Sequence, residues 1–158
     1  MGMLPDGMPS LVALCVIALI AWIVADCRFK NDNALSIRIL KVHSISMAEA
    51  SVFWPWAVAN SIARKGLDGG AVTFFIVLVC TYVEMRRVLG GESIQYLRWV
   101  VTASYFLVCL NYIGGAIVFD ETLLIIYCVI AATLWLVLCI VHVILSSKWN
   151  ARVSAEKL

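Results

Sequence analysis

The chain holds two histidines, His43 and His142, and each lies at an end of an apolar run. On the topology derived below they share one leaflet, where facing imidazoles could ligate a haem iron. Two interfacial histidines beside basic loops need no ligand, and no further ligand run accompanies them. No metal and no cofactor is therefore expected. Glu84 stands close to Arg86 and Arg87, with Glu49 near it in level. This set is either a binding site or, more commonly, a rim of helix-end ion pairs that fixes packing. Asn111 and Tyr112 suit interhelical hydrogen bonds inside lipid.

Reaction chemistry finds little support. The sequence lacks G-x-x-x-x-G-K-[ST], H-E-x-x-H and G-x-S-x-G, so no nucleophile–base pair, phosphate cradle or zinc-protease helix is legible. The six cysteines (Cys15, Cys27, Cys80, Cys109, Cys128, Cys139) form no C-x-x-C, and five lie within apolar runs, where cysteine packs as a small hydrophobe. No enzyme is expected and no catalytic residue is assigned. A net charge of +2 gives no reason to expect nucleic acid.

The elements that must position these groups are membrane helices. Of 158 residues 63% are hydrophobic and the mean hydropathy is +0.98, well above a soluble domain. Apolar runs of about the 20 residues that cross a hydrocarbon core recur along the chain. They predict an all-α polytopic bundle in one domain, 1–158, with spans near 8–26, 44–63, 70–88, 99–119 and 122–146.

The stretch 44–63 decides the topology. It carries Glu49, Asn60 and the run Trp54-Pro55-Trp56, so it is less apolar than its neighbours. Ala57, Ala59 and Ala63 would let another helix approach closely, and Pro55 would kink the helix. Upstream, Leu35, Ile39 and Val42 fall at helical spacing opposite Arg38 and Lys41. They form either a short headgroup-level helix or a solvated connector.

Charge chooses between five spans and four with a re-entrant or interfacial helix. With five, ten of the twelve basic residues share one side, all but Arg64 and Lys65. With four, they divide more evenly. Lys and Arg mark the cytoplasmic side, so five spans are expected, with the N-terminus outside and the C-terminus inside a bacterial inner membrane. Asp26, Glu49, Glu84, Arg86, Arg87, His142 and His43 then gather at the cytoplasmic rim. The middle of the bilayer is left without a charged group, which weighs against ion-coupled transport.

These features point to a small non-enzymatic membrane protein in contact with lipid, a homo-oligomer that engages a cytoplasmic protein partner. Phage defence, exclusion or immunity are possible settings. An oligomeric pore or holin-like channel is the alternative, with the Ser- and Asn-bearing side of 44–63 lining water. An accessory subunit of a transporter or respiratory complex is the second alternative.

Overall fold

The described residues fall almost wholly into five helices. The computed structural model describes residues 16–17, 19–24, 27, 34–63, 66, 69–118 and 120–156, and no strand occurs among them. The first helix, α1, is described through its helical residues at 16–17, 19–24 and 27. It is followed by α2 (Ala34–Ala63), α3 (Gly69–Leu89), α4 (Leu97–Val118) and α5 (Thr122–Ala155).

The helix α2 departs from the expected layout. It is one helix of 30 residues that begins ten residues before Ser44 and runs through Pro55. Leu35, Ile39 and Val42 thus belong neither to a separate headgroup helix nor to a connector. No glycine or proline separates them from Ser44, and Ile39 and Leu40 are wholly buried, so packing carries the helix straight through. Lys41 reaches back over the Trp22 ring of α1, 4.7 Å from its centroid.

At 34 residues α5 is about 50 Å long, more than the roughly 30 Å of a hydrocarbon core. Its C-terminal end is packed, not free. Trp149 and Val153 are buried, and Asn150 Oδ1 accepts from the Ile94 amide (2.9 Å) and the Ser93 hydroxyl (3.2 Å). The Trp149 indole donates to the Glu92 carbonyl at 2.9 Å. That loop leaves α3 through a six-residue cap. The Glu92 amide bonds the Arg87 carbonyl and the Gly91 amide the Val88 carbonyl, with Gly91 at φ 70°, where glycine carries no Cβ penalty.

Large apolar side chains also face outward: Phe75, Val79, Leu107, Val129, Val137 and Ile140 are about half exposed, whereas His43, Glu49, Thr81, Glu84, Ser104, His142 and Ser146 are buried within an otherwise apolar core. Two of the helices, α4 and α5, are long and apolar enough to cross a membrane. Asn111 donates to Thr73 Oγ1 at 2.8 Å and the Tyr112 and Tyr127 hydroxyls lie 3.4 Å apart, both interhelical, as expected for Asn111 and Tyr112.

Candidate metal centre

Four helices contribute side chains to one buried cluster. His43 comes from α2, Glu84 from α3, and His142 from α5, each with no exposed surface. Their ligating atoms all lie within 4.8 Å of one another. His142 Nε2 is 2.8 Å from Glu84 Oε1, and His43 Nε2 is 3.4 Å from the same oxygen. Tyr105 and Thr102 of α4, three residues apart and so on one helix face, close the shell from behind. Tyr105 Oη is 2.9 Å from His43 Nδ1, and Thr102 Oγ1 is 2.9 Å from His142 Nδ1.

A chain of hydroxyls backs His43: Ser46 Oγ lies 3.0 Å from the His43 carbonyl and 2.6 Å from Tyr105 Oη, which lies 2.9 Å from His43 Nδ1. His43 Nε2 and Glu84 Oε2 are both buried without a hydrogen-bond partner. His142 Nε2 lies 2.8 Å from Glu84 Oε1, where an imidazole N–H donates to a carboxylate. Thr102 can serve His142 Nδ1 in either role, because a hydroxyl both donates and accepts.

Two imidazole nitrogens and a carboxylate meeting at one point form a donor set for a borderline divalent transition metal. Each imidazole is held at its far nitrogen by a hydroxyl, the kind of outer contact that orients metal-bound histidines. The arrangement does not suit a haem. Both Nε2 atoms converge on one oxygen, and the ring centroids are only 5.4 Å apart with Glu84 between them, so no plane is left for a macrocycle.

The other residues singled out in the sequence are dispersed. Glu84 is not paired with Arg86 or Arg87: its partners are histidines, while both arginines are exposed and Arg87 reaches only Glu92, at 3.9 Å. Glu49 is not level with Glu84. It is six residues past His43 on α2, about 9 Å along the axis, and is wholly buried. Asp26 lies outside the described residues. Ala57 is buried within the bundle, whereas Pro55, Ala59 and Ala63 are exposed on α2.

The sequence reading placed His43 and His142 at one level but missed that Glu84 joins them, and it passed over Tyr105, Thr102, Ser46 and Thr81. Polar residues at i and i+3 on α4, Thr102 and Tyr105, were the available signal. No family model, curated protein or solved structure matches the chain.

Proposed function

We propose that the chain is an integral membrane protein whose bundle binds one divalent transition-metal ion through His43, Glu84 and His142. The single observation that carries this reading is the convergence of His43 Nε2 and His142 Nε2 on Glu84 Oε1, at 3.4 and 2.8 Å, in a fully buried site where His43 Nε2 and Glu84 Oε2 have no hydrogen-bond partner. A divalent ion would be held by both Nε2 atoms and the Glu84 carboxylate, with Tyr105 and Thr102 orienting the imidazoles from behind. The N2O donor set fits Zn²⁺, Fe²⁺, Co²⁺ or Mn²⁺ better than Ca²⁺ or Mg²⁺, which prefer all-oxygen shells.

The membrane part of the proposal is five crossings with the N-terminus outside. It is supported by the outward apolar band and by ten of twelve basic residues falling on one side. The metal centre then sits in the cytoplasmic half of the bundle, beneath the end where α5 grips the α3–α4 loop. That packed end is also the surface for a cytoplasmic partner, and the exposed Ala59 and Ala63 offer a face for self-association.

Equilibrium dialysis of the purified protein in detergent against Zn²⁺ and Mn²⁺ tests the metal reading. One tightly held ion per chain, lost in H43A/H142A, is the expected result. Equal binding by wild type and the double variant would refute it.

A further inference from the structure

Glu49 has no role in the metal centre, yet it is the most anomalous group in the bundle. It occupies the middle of the 30-residue helix α2, its side chain has no exposed surface, and both carboxylate oxygens lack a hydrogen-bond partner. A buried carboxylate at such a position is costly unless a proton or a cation accompanies it, and intramembrane carboxylates commonly mark ion paths.

Its neighbours along the bundle form a line of polar groups. On α2, His43, Ser46 and Glu49 follow at steps of three residues. On α4, Thr102, Tyr105, Cys109 and Tyr112 repeat at i, i+3, i+7 and i+10, the spacing of a single helix face. Thr102 and Tyr105 hold the two histidines, Cys109 donates to the Ala132 carbonyl at 3.3 Å, and Tyr112 meets Tyr127. The Asn111–Thr73 pair follows near the far ends of α3 and α4. Polar side chains thus run from the metal centre through the level of Glu49 toward the end of the bundle opposite the α3–α4 loop. Glu49 is the one carboxylate on that line beyond the centre among the described residues.

We propose that Glu49 is a second station for the cation held at His43, Glu84 and His142, and that the protein passes the ion between them across the membrane. Resting on the metal reading, the inference makes the bound ion cargo and names a divalent transition metal as the transported species.

Reconstitution of the full chain in phosphatidylethanolamine–phosphatidylglycerol vesicles enclosing a zinc-sensitive dye tests it, alongside zinc binding in detergent. Wild type should carry Zn²⁺ above protein-free vesicles. E49Q should retain the bound ion yet lose flux by about tenfold, and E49D, with a shortened reach, should lose less. A wild-type protein that binds Zn²⁺ but carries none overturns the transfer step and leaves the metal centre standing. Flux in E49Q equal to wild type overturns the role of Glu49. Should E49Q fail to fold, undiminished flux in E49D does the same. A wild-type protein that binds no Zn²⁺ removes both proposals together.

Discussion

Substituting Tyr105 by Phe removes one oxygen and leaves nearly everything else in place. The ring keeps its packing against Trp135 and His142, each with centroids 5.5 Å away. What disappears is the hydroxyl partner of His43 Nδ1 at 2.9 Å, of Ser46 at 2.6 Å and of Thr81 at 3.4 Å. Loss of an outer-shell contact to a metal-bound histidine costs about 10–100-fold in affinity, or about 1.4–2.8 kcal/mol. In the metal-free protein, His43 Nδ1 is left buried and unpaired, a further cost of about 1–3 kcal/mol in stability. Zinc competition with a chromogenic chelator reads the first term and thermal unfolding in detergent reads the second. Saturating zinc should raise the melting temperature of Y105F less than that of wild type at equal metal concentration, because its site is weaker. Unchanged zinc affinity in Y105F would refute the role of Tyr105 behind His43.

Other outcomes follow from the same geometry. E84Q should bind zinc far more weakly than wild type in the same competition assay, because a neutral amide replaces the one anionic ligand. N150A should lower thermal stability by about 1–3 kcal/mol, since the Ile94 amide loses its acceptor. Truncation after Trp149 should do at least as much, because Val153 goes too. Cysteines placed at Gly66 and Tyr96 should label from opposite sides of the membrane; labelling from one side contradicts five crossings. A57L should destabilise the bundle by overpacking, about 1–3 kcal/mol, whereas A59L on the exposed face should leave folding intact and change oligomeric state by native mass spectrometry.

The helical class was legible because apolar runs of membrane length are a strong one-dimensional signal. The bounds of α2 were not, because residues 34–43 carry Arg38 and Lys41 on the turns that bury Ile39 and Leu40. Hydropathy averages those opposing faces and loses the helix. The site was half legible. Two histidines near one level could be read from charge placement, but Glu84 was assigned to Arg86 and Arg87 by sequence proximity. Arg86, two positions on, faces away from Glu84, and Arg87 reaches out to Glu92, so Glu84 is buried while both arginines are exposed. The place of Glu49 along its helix was illegible for a related reason. Taking Ser44 as the start sets Glu49 about one turn in, whereas the start at Ala34 puts it mid-helix. The hydroxyls that orient the imidazoles gave only the i, i+3 spacing of Thr102 and Tyr105 as a signal, since serine, threonine and tyrosine are common in helices and only three-dimensional convergence distinguishes these.

The most direct measurement of the central claim is X-ray absorption at the zinc edge on the one-to-one zinc complex. The account predicts a shell of nitrogen and oxygen at about 2.0–2.2 Å, with imidazole scattering from two histidines that is lost in H142A. A shell with sulfur near 2.3 Å, which would put the ion on cysteines, or a spectrum indistinguishable between wild type and H142A, would contradict it.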